Sequence, residues 1–496
     1  MLKIVHYLQY TALTPANTYS LHPSGTHLNY YMFFGGYNRG RQAAGGITNF
    51  YAKDAALCSS GERHEPKFSH YKNLHQMVNF IASTLLSTET ALGKAKVVEV
   101  LNEDKTWVIG EKQRMFEYVG RKHVSFVEND ENEEVVVRIP KIKDELAEYK
   151  QLTLAPTSAV LIVDGDVRFN SASIKPRVHF TRKFANSSEI PDFVGWSFWP
   201  ETIGAESVDL MTQTGTSPIE QTRLNVDSNV WSDYAWYETS ITIGSNDATN
   251  AKLFVETQRS NALLAFVDDK FVGATEDHSH LFEGNFTMLI EIGDLSSGQH
   301  KLSILSEALG HSNLVGRFGN SGTGPKRKGM TGQIFLYNED TAKNTSLVDG
   351  REWRSYPGLH GERDLRSISA NHVNKTKPLW ASVLFESPKF NPEYQSLFLH
   401  MTTGRGHIWL NGKDLGRYWN ITQGDTTKYS QEYYFLPIDY LRTDGNLNEF
   451  VIFDAACDST LALQKSMKLA ISWIYPTDTK EHPHFKDEVN YPMACI

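Results

Sequence analysis

Cysteine is scarce in this chain, with three residues in 496 at Cys58, Cys457 and Cys495, and no CxxC pair or matching His/Cys set. The spacing argues against structural zinc, and no metal or other cofactor is expected. One disulfide at most can form, and the sequence does not say which pair makes it. Long apolar runs are also missing: no stretch approaches a transmembrane span, and the opening MLKIVHYL turns polar too soon for a signal peptide. Positive charge is in deficit, with 49 Lys and Arg against 58 Asp and Glu and a net charge of −9. That balance argues against nucleic acid or an anionic membrane as partner. The one basic cluster, Lys326-Arg327-Lys328, sits among glycines and reads as an exposed loop. GxxxxGK[ST], HExxH and GxSxG are all absent, which removes the common nucleotide, zinc-protease and serine-hydrolase readings.

Aromatic residues are plentiful instead: 10 Trp, 22 Tyr and 26 Phe, in short runs punctuated by 35 Gly and 18 Pro. Such a texture points to a mainly β protein, and the length to about three domains. Two stretches share one design. Ala265–Gly273 reads AFVDDKFVG and Ile408–Gly416 reads IWLNGKDLG. Each is an apolar run, a two-residue polar break, a lysine, a second run and a closing glycine, the pattern of a hairpin with a tight turn. Two copies argue for two β-domains of one kind in tandem. Five N-x-S/T sequons, at Asn186, Asn285, Asn344, Asn374 and Asn420, are candidate glycosylation sites and suggest a secretory route. The expected location is then extracellular, vacuolar or lysosomal if a signal peptide lies ahead of Met1.

Along the chain, Leu28–Phe34 reads as a buried strand ending at Gly35-Gly36, followed by a polar loop to Pro66. Tyr71, Leu74, Met77, Val78, Ile81 and Leu85 then mark a helix over Ser69–Leu86. Residues 1–90 thus form one β/α unit, which cannot bury its strand alone. Period-two runs from Lys94 to residue 170 predict a small antiparallel sandwich (domain 91–170). Residues 171–230, with Trp196 and Trp199, read as a linker or crossing segment within 171–376, whose β-domain has strands at Trp231–Ile243, Lys252–Glu256, Asn261–Val267, Asn285–Ile292, His300–Leu305 and Gly332–Leu336. The last β-domain, 377–480, has strands at Leu379–Phe385, Ser396–Met401, Gly406–Leu410, Tyr433–Pro437, Asn448–Asp454 and Lys468–Tyr475. Residues 481–496 form a tail.

Several blocks now resemble a known family. NYYMFFGGYNRGR from Asn29, AGGIT from Ala44, Glu65-Pro66-Lys67 and Leu74-His75 are similar to the last barrel strand and following loop of plant-type glycoside hydrolase family 35 β-galactosidases. SDYAWY from Ser232 and GRGHIWLNGKDLGRYW from Gly404 resemble later blocks of the same family, in the same order. The resemblance implies two galactose-binding-like jelly rolls, and it makes residues 1–90 the remnant of the last unit of a (β/α)8 barrel. Within the loop, Tyr51 and Asp54 align with family positions near the sugar, whereas Phe34 and Tyr37 depart from its histidine and threonine.

The family hydrolyses terminal β-D-galactose residues with retention, using two glutamates that both precede the block beginning at Asn29. The first 28 residues contain no Asp or Glu. The expectation is a β-galactosidase-family chain without catalytic residues of its own and inactive alone. A second expectation is a carbohydrate-binding or structural module, with Trp409, Tyr418 and Trp419 as the pool for stacking on galactosides or cell-wall glycans. A third is one subunit of a split glycosidase, completed by a separate barrel polypeptide.

Overall fold

The computed structural model describes residues 32–40, 49, 52, 55–64, 67–86, 95–140, 149–173, 178–183, 190–205, 211–245, 250–258, 262–276, 285–308, 310, 327–348, 350–362, 377–392, 395–420 and 431–476. The chain forms two compact units, one built on Asp54–Thr181 and one on Gly36–Lys53 with Arg182–Trp473.

In the first unit, α1 (Lys67–Leu85) buries Tyr71, Leu74 and Ile81 along one stripe, as their spacing predicts. The stripe packs on a seven-stranded antiparallel sheet of β1 (Ala95–Leu101), β2 (Trp107–Val119), β3 (His123–Asn129), β4 (Val135–Pro140), β5 (Tyr149–Leu154), β6 (Ser158–Val163) and β7 (Asp166–Asn170), in the order β5-β4-β1-β2-β3-β6-β7. Alternation turns Phe116, Phe126 and Leu161 toward the helix. It turns Met115, Val127 and Ile162 to the opposite face, where they join Val98, Val137, Ile139 and Leu154. That second face is covered by curling of the sheet itself: β5 comes round to the β6–β7 turn, where Lys150 Nζ donates to the Gly165 carbonyl at 2.7 Å. The sandwich expected over 94–170 is therefore one curled sheet. Period-two alternation makes both faces apolar, and either a second sheet or curvature satisfies that demand.

The strand expected at Leu28–Phe34 is reduced, among the described residues, to a single parallel bridge between Phe34 and Leu57; residues 28–31 lie outside them. Phe33 instead stacks on Tyr71 of α1, with ring centroids 6.1 Å apart. Cys58 is disulfide-bonded, and Cys457 is a buried free thiol.

Next in the chain come β8 (Val178–Lys183), β9 (Val194–Pro200), β10 (Gln213–Gly215) and α2 (Gln221–Ser228). The Glu220 side chain caps α2 by accepting from the Thr222 and Arg223 amides, and Asn229 ends it in the left-handed conformation. The first repeat then supplies β11 (Tyr234–Ile243), β12 (Ala251–Gln258), β13 (Ala262–Val267), β14 (Lys270–Glu276), β15 (Asn285–Gly293), β16 (Gly298–Glu307) and β17 (Gly329–Asn338), with β18 (Lys343–Ser346) and β19 (Trp353–Pro357) appended. The second supplies β20 (Leu379–Phe385), β21 (Gln395–Met401), β22 (Arg405–Leu410), β23 (Lys413–Trp419), β24 (Tyr433–Phe435), β25 (Asn448–Asp454), α3 (Thr460–Ser466) and β26 (Met467–Pro476).

The two repeats match strand for strand. β11, β16, β13 and β14 lie side by side as β20, β25, β22 and β23 do, while β15-β12-β17 corresponds to β24-β21-β26. The two hairpins match in register as well. Ala265 faces Gly273, Phe266 faces Phe271 and Val267 faces Lys270; Ile408 faces Gly416, Trp409 faces Asp414 and Leu410 faces Lys413. Each strand pair slips by one residue at the same place, leaving Val272 and Leu415 as the bulged residues. All four turn residues, Asp268, Asp269, Asn411 and Gly412, have positive φ, as a type I′ turn requires. Within each repeat the buried faces of the two sheets share one apolar core.

Residues 171–230 do more than connect. β9 pairs with β20 and forms the edge of the second repeat's sheet, placing Trp196 and Phe198 against that repeat's core. The outer faces of the two repeats meet in a third cluster, in which Tyr234, Trp236, Phe266 and Leu305 pack with Trp199, Trp380, Trp409 and Phe453. Lys328, read as part of an exposed loop, is buried beside the first repeat, with Nζ 3.3 Å from the Ala308 carbonyl.

Candidate functional site

The hairpin β22–β23 contributes both to the second repeat's core and to the cluster between the repeats. Every residue of β22 is buried, because one face of the strand lines the second repeat's core and the other meets the first repeat. Two arginines that bracket the hairpin are drawn into this dry region. Arg405 holds Glu307 with both Nε and Nη2, at 3.0–3.2 Å. Arg417 pairs with Asp233 of the SDYAWY block through Nε and Nη2. Asp454 accepts the Tyr418 hydroxyl and the amides of Ala456 and Cys457 at 2.8 and 2.6 Å.

Two guanidinium groups thus face three carboxylates, Asp233, Glu307 and Asp454, none more than 2% exposed. Burial, reinforced by Asp454 and Asp233, pushes the Glu307 carboxyl well above the usual carboxylate range. Burial also draws Arg405 down to about 10 and drives the Tyr418 hydroxyl well up, so that it stays a donor to Asp454. Perturbed carboxylates often mark catalytic sites. Here solvent does not reach them, and each has its partner; the cluster clasps the two repeats together.

A second buried carboxylate lies close by. Glu201 accepts four N–H groups: Trp380 Nε1 at 2.6 Å, Trp236 Nε1 at 3.4 Å, and the main-chain amides of His360 and Gly361 at 2.6 and 3.1 Å. Burial outweighs these donors and pushes the carboxyl up to about 7.

On its outer edge the hairpin meets described residues of the loop that follows Gly35-Gly36. Asn49 Nδ2 donates to the Arg417 carbonyl at 2.8 Å and to the Tyr37 hydroxyl at 3.1 Å, while the Asn49 amide donates to Gln431 Oε1 at 3.2 Å. Gly416, at φ +98°, lies beneath this residue; a Cβ there would come within 2.5 Å of Asn49 Oδ1, so the position admits only glycine. The Arg39 guanidinium stacks over Tyr440, 4.8 Å from its ring centroid. Burial holds the Tyr37 hydroxyl well above its ordinary range. Asp414, under the same loop, lies 2.6 Å from His407 Nε2 and accepts the Gly416 amide at 2.7 Å.

The residues chosen for sugar stacking point inward. Trp409 packs between His407 and Trp380, with centroids 4.6 and 5.5 Å away. Tyr418 belongs to the second repeat's core, and the Arg405 guanidinium lies 5.5 Å from the Trp419 ring centroid. None of the three is more than 5% exposed, so none offers a sugar an open ring face. The β-strand period says which face a side chain takes, but not that another domain covers that face. Tyr51 and Asp54 lie outside the described residues. Of the sequon asparagines, Asn344 is exposed and Asn420 half-buried; Asn285 opens β15, and Asn186 and Asn374 lie outside the described residues. Sequence reading passed over Glu201, Glu307, Arg405 and Arg417. The available signal was a charged residue at either end of a buried apolar run. Among the described residues no group of three or more His, Cys, Asp or Glu could hold a metal ion, and no helix is long and apolar enough to cross a membrane.

A family model described as the galactose-binding domain of β-galactosidase matches residues 378–446, from β20 through the β22–β23 hairpin. β-Galactosidase 13 and β-galactosidase 11 of Arabidopsis thaliana are each 26% identical to the chain, over 447 and 451 residues, covering 87% of it and 48% of each relative. The chain is homologous to plant β-galactosidases. β-Galactosidase 3 of Oryza sativa subsp. japonica is likewise 26% identical, over 80% of this chain and 44% of its own length. The chain therefore spans about half the length of the curated relatives it matches. Among solved structures, the α-L-rhamnosidase from Dictyoglomus thermophilum overlaps with a TM-score of 0.20 at 8% identity, over 74% of this chain and 47% of that one, too slight a likeness to bear on the fold.

Proposed function

We propose that this chain is the carboxyl-terminal β-domain portion of a glycoside hydrolase family 35 β-galactosidase and acts as the frame that holds the last loop of its catalytic barrel. The complete enzyme removes terminal non-reducing β-D-galactose residues. We place its two catalytic glutamates in the half of the relatives that this chain does not span. The observation that carries the reading is the seating of Asn49 on the β22–β23 hairpin, with Tyr37 bonded to Asn49 and Arg39 over Tyr440. That loop is the one whose sequence resembles the segment after the family's last barrel strand, and a barrel loop gains precision when a rigid element fixes it. The two repeats are galactose-binding-like jelly rolls in this reading, and their role is support. Burial of Trp409, Tyr418 and Trp419 takes the main support from a free-standing carbohydrate-binding module.

The test is release of 4-nitrophenol from its β-D-galactopyranoside between pH 4 and 7. The purified chain is expected to give no hydrolysis above background, because a retaining site needs both carboxylates. Turnover that survives purification to homogeneity, and is unchanged in Tyr51→Phe, overturns the assignment. Turnover that appears only when a separate family barrel is added supports the frame and identifies a split enzyme.

A further inference from the structure

We infer that Asn344 carries an N-linked glycan whose first sugar lies on the ring of Tyr337 and closes an aromatic face of the first repeat. Asn344-Thr345-Ser346 is a sequon on β18, the last strand of the sheet ordered β15-β12-β17-β18. In β17, Ile334 and Leu336 point into the core, so Phe335 and Tyr337 point outward. Asn344 is paired directly with Tyr337, and Ser346 with Phe335; the acceptor is therefore on the outer face, beside a tyrosine. It is exposed, as are Lys343 and Ser346.

The outer face around it is unusually apolar. Phe254 and Phe335 stack with centroids 4.8 Å apart at 12°, and Tyr337 meets Phe254 edge-on at 6.0 Å. Leu289, opposite Phe254, is 40% exposed. These four residues join none of the apolar cores described above. A pyranose has one face of C–H groups, which packs on an aromatic ring, and hydroxyl groups that stay in water. It therefore suits an aromatic patch at a sheet edge better than bare solvent does. A short edge strand covered in this way is also protected from pairing with other chains.

Asn420 is the contrasting case. Its Nδ2 donates to the Met401 carbonyl at 3.0 Å, and its Oδ1 is buried. A glycan on Nδ2 would leave it one N–H and would set a sugar against the Met401 carbonyl and the buried Oδ1, so Asn420 is expected to stay unmodified. Attachment at Asn344 uses a lipid-diphosphate-linked oligosaccharide and the host's oligosaccharyltransferase. The amide nitrogen forms a bond to the sugar C1 and loses one proton. The C1–O bond to the diphosphate breaks, and the lipid diphosphate leaves with the electron pair.

The full chain, led by a signal sequence, is secreted from a eukaryotic host and mapped by peptide mass spectrometry, with and without peptide-N-glycosidase. The expected result is glycan on the Asn344 peptide, none on the Asn420 peptide, and loss of one glycan's mass in Asn344→Gln. Enzymatic deglycosylation should lower the melting temperature of the wild type and leave that of Tyr337→Ala nearly unchanged, with Asn344 still occupied in that variant. An unmodified Asn344 in the secreted protein overturns the site, whatever the other sequons show. An equal fall in melting temperature in Tyr337→Ala overturns the stacking.

Discussion

Glu201 makes the stability of the second unit depend on pH in a direction opposite to that of most carboxylates. Its carboxyl is raised from 4.5 to about 7, with burial as the largest cause. Between those two values the folded protein keeps a proton that the unfolded chain has released, so folding is favoured at the acidic end. The contribution is fully present below 4.5 and is lost as pH rises through about 7. At about 1.4 kcal/mol per tenfold change in proton affinity, the loss amounts to about 3 kcal/mol. Glu201→Gln removes the titration and costs about 1–3 kcal/mol at pH 4.5, because an NH2 group then faces N–H donors that the carboxyl accepted. Urea unfolding of the full chain at pH 4.5 and pH 7.5, followed by tryptophan fluorescence, measures both effects. Trp236 and Trp380 both donate to the carboxyl, so the emission reports on this site. The wild-type advantage over Glu201→Gln should shrink by about 3 kcal/mol between the two pH values. An advantage that is constant or grows with pH refutes the reasoning.

Three further outcomes follow from packing. Arg417→Met should destabilise the second unit by about 3–5 kcal/mol, because the buried Asp233 carboxylate loses the opposing Arg417 charge. The double variant Asp233→Leu with Arg417→Met should recover most of that loss in the same urea experiment. Trp409→Ala should cost about 3–5 kcal/mol as a cavity between the two repeats, while galactoside binding in calorimetry stays at the wild-type level. Ile81→Ala, at the contact of α1 with the curled sheet, should cost about 2–5 kcal/mol and raise hydrogen exchange in α1 ahead of exchange in β22.

The repeats were legible because their signals are local. An Asn-Gly or Asp-Asp break between apolar runs defines a hairpin whatever surrounds it, and most strand limits fall within one to three residues of the expected ones. The helix over 67–85 was legible for the same reason, since its stripe needs only the helical period. What stayed hidden depends on partners far along the chain. Trp196, Phe198 and Trp199 are apolar on both faces of β9, which says that the segment is covered but not that β20 lies beside it. Arg405 and Arg417 look like surface charges until Glu307 and Asp233, 98 and 184 residues away, are seen next to them. Trp409 illustrates the limit most plainly. Its alternation assigns it to the outer face of a sheet, and only the presence of the other repeat turns that outer face into an interior.

The matched strands of the two repeats have one more consequence. Phe266 and Trp409 hold the same register position, and both lie in the cluster where the outer faces meet. The contact is therefore built as a self-complementary, two-fold association is built, with like surface against like surface, yet it occurs inside one chain. Such a contact saturates once made, and the tether keeps the partner at high effective concentration. Repeats separated by cutting both between β9 and β10 and between β19 and β20 would each expose the aromatic face that the other covers, suited to a second copy of itself. Separated repeats should then dimerise, whereas the intact chain satisfies the same surface internally.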